Sequence, residues 1–187
     1  LLVLASSSVL PFIVMMTTSF VKIAVVLALI RSALGTQQIP PNPIITGLAL
    51  ILSVYIMIPV GMEVYKVAGS TIQTGSNKPV LSDMTVSLLM KGVKEAREPV
   101  REFLLKQAHA KERELFFNQA RKISKPEDRE QVTDRDFTIL IPSFVISELS
   151  EAFQIGFIIF LPFLVIDVVV TNNMFGDIIT DLGAMIQ

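Results

Sequence analysis

Two stretches near the start of the chain carry no charge: Leu1–Val21, 21 residues long, and Ser32–Met62, 31 residues long. About 20 consecutive apolar residues cross the hydrocarbon core of a bilayer, so either stretch is long enough to span. Only Lys22, Arg31 and Glu63 are charged between Leu1 and Tyr65. Between the first two lies ordinary span sequence; after Arg31 comes the string Ala33-Leu34-Gly35-Thr36-Gln37-Gln38-Ile39-Pro40-Pro41-Asn42. Gly suits a helix end and Pro40-Pro41 cannot continue a helix, so Gly35, Gln37, Gln38, Pro40, Pro41 and Asn42 are read as the corner of a helical hairpin. Hydrophobic residues make up 51% of the chain, charged residues 18%, and the mean hydropathy is +0.60. That is more apolar than an average soluble domain. A soluble all-helical core, apolar on every side of its long helices, is the competing reading.

Charge divides the chain into three. Residues 1–66 hold 3 of the 16 Lys and Arg, residues 67–138 hold 13, and residues 139–187 hold none. The expected organisation is therefore an N-terminal apolar hairpin (1–66), a polar and mainly helical insertion (67–138) and a C-terminal apolar helical segment (139–187). The fold class is all-α and membrane-associated. A net charge of -1 offers no basic face to nucleic acid. Without Cys there is no disulfide framework or thiolate metal site, and the absence of Trp removes one common interfacial anchor. The first residue is Leu rather than Met, which places the natural start upstream or marks a processed end.

Within the insertion, Gly69–Ser82 has loop composition, with Gly75-Ser76-Asn77-Lys78-Pro79 at its centre. From Val93 the apolar positions Val93, Ala96, Val100, Phe103, Leu104 and Ala108 step by three and four, which predicts one stripe on a helix. Glu102 and Lys106 are spaced for a surface pair of about 0.2–0.5 kcal/mol. Pro99 kinks this helix or opens a new one. His109, the only histidine, sits on a charged face and is expected to meet solvent rather than act as a ligand. Lys125-Pro126-Glu127-Asp128 reads as a boundary, and Thr133-Asp134-Arg135-Asp136 leads into the last apolar block.

The chemically informative residues are the charges inside apolar tracts: Lys22, Glu148, Glu151 and Asp167. A charge at the bilayer centre costs roughly 2.5–3.5 kcal/mol on insertion scales, so such a side chain faces a partner, a polar cavity or another subunit. Lys22 needs an anion, and residues 139–187 supply acids with no Lys or Arg of their own. Glu148 and Glu151, three apart, share a helix face. A buried ion pair of Lys22 with Glu148, Glu151 or Asp167, within the chain or between subunits, is the expectation. Snorkelling of Lys22 to an aqueous boundary and a proton relay through the carboxylates are the alternatives. Pro11, Pro59, Pro142 and Pro162 fall in apolar tracts and predict broken or bent helices, tolerated at membrane depth only when buried in protein or lining a cavity. Leu10-Pro11-Phe12-Ile13-Val14 also echoes Leu161-Pro162-Phe163-Leu164-Val165, as an internal repeat of transporters would.

Taken together, several strings resemble the FliP/SctR family, the export-gate proteins of bacterial flagella and type III secretion injectisomes. They are Thr18-Ser19-Phe20-Val21-Lys22, the run from Arg31 to Asn42, Gly47-Leu48-Ala49-Leu50, Met57-Ile58-Pro59-Val60, Ser147-Glu148-Leu149 with Ala152-Phe153-Gln154-Ile155-Gly156-Phe157, and Leu161 to Asp167. The resemblance covers about residues 1–66 and 95–170. Lys22 after Thr-Ser-Phe-Val, together with Phe103-Leu104-Leu105-Lys106-Gln107 and Phe116-Phe117, leans toward the injectisome branch over the flagellar one.

The resemblance implies an assembly of about five copies with small export-gate membrane proteins, in the bacterial inner membrane. Unfolded secreted proteins pass through its centre. It implies no enzymatic activity, catalytic residue, metal or cofactor, and the sequence has no Walker loop, metal-ligand spacing or nucleophile elbow. An ion channel or transporter using the carboxylates is the reading that the residues alone leave open. The family's polar insertion lies on the periplasmic side, whereas counting Lys and Arg points to the cytoplasm; that rule is weak beyond about 60 residues, and 11 acids offset the 13 bases of residues 67–138. The resemblance is followed here. It also implies a Met-rich pore gasket after Asp167, where this chain reads Val168-Val169-Val170-Thr171-Asn172-Asn173-Met174-Phe175-Gly176. Either residues are absent between Asn172 and Gly176, which is the preferred expectation, or the chain diverges there.

Overall fold

The computed structural model describes residues 11–35, 39–73 and 83–185, and every regular element among them is helical. Residues 11–16 form the described part of α1. Then follow α2 (Phe20–Ala33), α3 (Asn42–Gln73), α4 (Asp83–Gln107), α5 (Ala110–Ile123) and α6 (Phe137–Met185). This is the all-α fold that the apolar periodicity predicts. Helix α2 is held between α3 and α6, while α4 packs on both α3 and α6 and α5 packs on α6.

The charge-free stretch Leu1–Val21 is not one helix through its described part. A turn at residues 17–19 separates α1 from α2. The hydroxyl of Thr17 donates to the Ile13 carbonyl at 2.8 Å and that of Thr18 to the Met15 carbonyl at 3.3 Å. Such local bonds offer the backbone an alternative to the helical ladder. At the far end of α2, Leu34 N–H bonds the Ile30 carbonyl and Gly35 N–H the Ser32 carbonyl. Gly35 adopts φ 69°, the left-handed conformation that ends helices at least cost when no Cβ is present. Arg31 then ties the connection to α3, donating to Asn42 Oδ1 at 2.6 Å and to the Pro40 carbonyl at 3.3 Å.

The prolines do not interrupt the helices, and here the expectation of breaks is corrected. Helix α3 continues through Pro59, α4 through Pro99, and α6 through Pro142 and Pro162. Each proline removes one donor from a ladder of 25 to 49 residues, and the bonds on either side keep the helix continuous. Two further boundaries move. Helix α3 takes in Gly69 to Gln73, which have loop composition, and α4 begins at Asp83, ahead of the stripe that starts at Val93. Glu102 bonds Arg135 instead of Lys106. Helix α6 runs without interruption past Asn172 and Gly176.

The described core lies between α4 and the first turns of α6. Leu104, Ala108, Leu140 and Phe144 are buried, with Val100, Phe103, Leu105, Phe137, Ile141 and Val145 packed around them. The Phe103 and Phe144 rings are 5.6 Å apart and inclined by 58°, within the range of favourable aromatic pairs. Farther along, Asn42–Gly69 of α3 and Phe137–Ile166 of α6 are long and apolar enough to cross a membrane. Their side chains are not those of a soluble core: Ile51 is 66% exposed, Tyr55 73% and Ile158 66%. Apolar surface of this extent is covered by lipid or by other subunits.

Helices α2 and α6 cross where Gly156 faces Leu29. A Cβ at Gly156 would run into Leu29 Cδ1 and lie 3.2 Å from its Cβ and Cγ. Gly156→Ala is expected to destabilise the chain by about 1–3 kcal/mol through overpacking, with Leu29→Ala in the same chain recovering much of the loss. Thermal melts of the detergent-extracted variants test this, and an unchanged melting temperature for Gly156→Ala would contradict so close a crossing.

Candidate functional site

One face of α6 sets the site. Ser143, Ser147, Glu148 and Glu151 follow one another at steps of four, one and three, which brings them to the same side of the helix. Both serines are fully buried, and their hydroxyls are satisfied along the helix: Ser143 donates to the Ile139 carbonyl at 2.6 Å and Ser147 to the Ser143 carbonyl at 2.8 Å. Small side chains here let the junction of α4 and α5 come close. His109, in extended conformation between those helices, donates its backbone N–H to Ser147 Oγ at 2.9 Å. One hydroxyl thus joins the polar helices to the apolar one.

Around this junction five charged or ionisable groups meet. Lys22, on the first turn of α2, places Nζ 2.7 Å from Glu148 Oε1 and 2.7 Å from Glu151 Oε2. The contact with Glu151 is a hydrogen bond. That with Glu148 is ionic contact without aligned bonding, and neither Glu148 oxygen has a hydrogen-bond partner among the described residues. Glu151 uses its other oxygen on His109, with Oε1 2.6 Å from Nε2. Glu112 of α5 stands on the opposite side of the imidazole, 3.7 Å from Nδ1.

Exposure separates the roles of these groups. Glu148 is 1% exposed, whereas Glu151 and His109 are 34% and 44% exposed at the side chain. Glu148 is therefore the member whose charge depends on Lys22, and Glu151 is the bridge to the polar helices.

The sequence-predicted residues fall as follows. Lys22, Glu148 and Glu151 are brought together. Gly35, Pro40, Pro41 and Asn42 lie in the connection from α2 to the start of α3. Gln37, Gln38 and the side chain of Asp167 lie outside the described residues. His109 is exposed, as the sequence suggests, but its contact with Glu151 was missed, because that partner is 42 residues away and the backbone donor of His109 is as important as its ring. The one available signal is its place at the end of the stripe through Leu104 and Ala108, where a helix on the core must end. Among the described residues, no group of three or more His, Cys, Asp or Glu is arranged to hold a metal ion.

These features define an all-α membrane protein in which an ion cluster around the buried Glu148 joins a polar helical unit to a membrane-length helix. The chain belongs to the FliP family, whose sequence pattern matches residues 3–185. It is 42% identical over 167 residues to the hypersensitivity response secretion protein HrcR of Ralstonia nicotianae, covering 88% of this chain and 73% of that one. Yop proteins translocation protein R of Yersinia pestis is 40% identical over 172 residues, 92% of this chain and 76% of its own. The flagellar biosynthetic protein FliP of Bacillus subtilis is 41% identical over 172 residues, 92% of this chain and 72% of its own.

Proposed function

We propose that this protein is a core subunit of the type III secretion export gate. About five copies assemble with small export-gate membrane proteins into the channel by which unfolded secreted proteins cross the bacterial inner membrane. The observation that carries this reading is the similarity over nine-tenths of the chain to proteins named for secretion and translocation. The exposed apolar faces of α3 and α6 support assembly, as does an apolar groove of about 440 Å³ lined by Val14, Met15, Phe20, Leu50, Val54 and Met57. The Lys22 cluster holds each subunit's polar helices, on the periplasmic side, against its membrane-length helix. The same role in the flagellum is the second reading, supported by 41% identity to a flagellar protein.

The test is the native mass of the detergent-extracted chain, expressed with and without the neighbouring small export proteins. A discrete ring of about five copies that grows when the partners are present is the expected outcome. A monomer or dimer indifferent to those proteins would overturn the proposal and bring forward an ion channel or transporter built on the carboxylates.

A further inference from the structure

Helices α4 and α5 pack on α6 more than on each other, and they do so in opposite senses. Along α4, Arg101 lies over the Phe137 ring, Phe103 meets Phe144 and His109 bonds Ser147, so α4 runs in the direction of α6. Helix α5 turns back: the Glu112 carbonyl accepts from Ser143 Oγ at 3.4 Å, one turn of α6 before Ser147. Leu104, packed with Phe144, and Glu112 therefore stand at about the same height on α6. Val93 is eleven residues before Leu104 and Ile123 eleven after Glu112. Each lies about 16 Å farther toward the start of α6, at about 1.5 Å per residue.

The two helices present different chemistry at that shared height. On α4, Val93 is 54% exposed and opens an apolar groove of about 530 Å³, walled also by Ala96, Val100, Phe137 and Ile141. Arg97 borders this groove, and Arg97, Lys94 and Val93 together line the recess beside it. Lys94 and Arg97 are exposed, with no ion pair to either among the described residues. At the end of α5, Ile123 is 76% exposed. Of the four positions 127–130 that follow, Glu127, Asp128 and Glu130 are exposed acids with no ion pair among the described residues. The base among them, Arg129, is turned back onto the Ser124 carbonyl at 3.3 Å.

We infer that Ile123 and the acidic turn of one copy dock on the Val93 groove and the Lys94 and Arg97 rim of the next copy. The inference rests on the reading of the chain as a ring-forming subunit and names the surfaces that meet. Groove and apolar knob are different surfaces of one chain, so the contact is head-to-tail, the type that closes into a ring when the rotation allows. Their equal height lets successive copies stand side by side around an axis along α6. An apolar centre with a charged rim is the ordinary plan of a protein interface. Acids opposite cations fix its register, whereas a symmetric contact of groove on groove would set Lys94 and Arg97 against their own copies.

The chain has no Cys, so introduced thiols report this contact without background. The whole chain, co-expressed with the small export proteins and extracted in detergent, is treated with a short bismaleimide. Val93→Cys combined with Ile123→Cys should give a ladder of covalent oligomers up to the full ring, and neither single variant should cross-link. Lys94→Glu with Arg97→Glu should lower the fraction of chain in rings about tenfold or more, through acids facing acids. Adding Glu127→Lys with Asp128→Lys should restore it. A ring that assembles from the double-Cys chain without cross-linking, cross-linking of either single variant, or no restoration by the exchanged charges would each overturn this contact and leave the export-gate reading standing. A native chain that forms no ring would overturn both.

Discussion

Lys22→Ala is expected to cost about 3–5 kcal/mol, the range for leaving one member of a buried ion pair uncompensated. The cost arises on the other helix. Glu148 is almost wholly buried, and the Lys22 ammonium is the cation that meets it at 2.7 Å. Without it the carboxylate must take up a proton, draw in water or disrupt the contact of α2 with α6. Lys22→Arg keeps the charge and is expected to be tolerated. Adding Glu148→Gln to Lys22→Ala should recover a large part of the loss, because a neutral amide carries no buried charge. Proteolysis and native mass of the extracted chain report both fold and assembly. Normal assembly of Lys22→Ala, or no recovery in the double variant, would remove the cluster from any account of how the subunit is held together.

Phe144→Ala should be comparably severe, at about 3–5 kcal/mol, although no charge is involved. Phe144 is fully buried among Leu104, Ala108 and Leu140, and it also packs against the Phe103 ring. Ala at this site removes the ring and leaves a cavity between α4 and α6 that helices pinned at Ser147 cannot readily close. Phe144→Leu, closer in volume, should cost less than half as much. Melting temperatures of the two variants separate this from a general sensitivity of α6: equal losses from both would argue against a cavity. Loss of the core should also free the α4 and α5 junction, so His109 and Ser147 would part in the Ala variant.

The helical class was readable because the apolar runs are too long for strands and the charged insertion keeps a three-and-four step. The helix boundaries were harder to read at Pro59 and Pro162, because local preference counts the missing donor and cannot count the packing and the intact bonds around it. The turn at residues 17–19 was obscured for a different reason: Thr17 and Thr18 look like ordinary apolar-tract residues until their hydroxyls are seen on the Ile13 and Met15 carbonyls. At the candidate site, charge counting points Lys22 toward the C-terminal acids, since no other region combines acids with a complete absence of bases. Choosing among those acids requires the rotation of α6 about its axis, which depends on the contact of Gly156 with Leu29. His109 was hidden because its role depends on where α4 stops, and helix ends are set by tertiary contacts such as its backbone bond to Ser147.

The length of α6 has a mechanical consequence. At about 1.5 Å per residue, the 29 residues that follow Gly156, up to Met185, extend roughly 44 Å beyond the crossing with Leu29. The crossing is thus a fulcrum with unequal arms, the shorter one clamped by the ion cluster and the aromatic core. A tilt of about 5° there swings the distal tip by roughly 4 Å, about the width of an extended backbone. Sub-ångström slack at Gly156 is therefore amplified into displacement at the far end of the rod, and a tight pivot keeps that end in register.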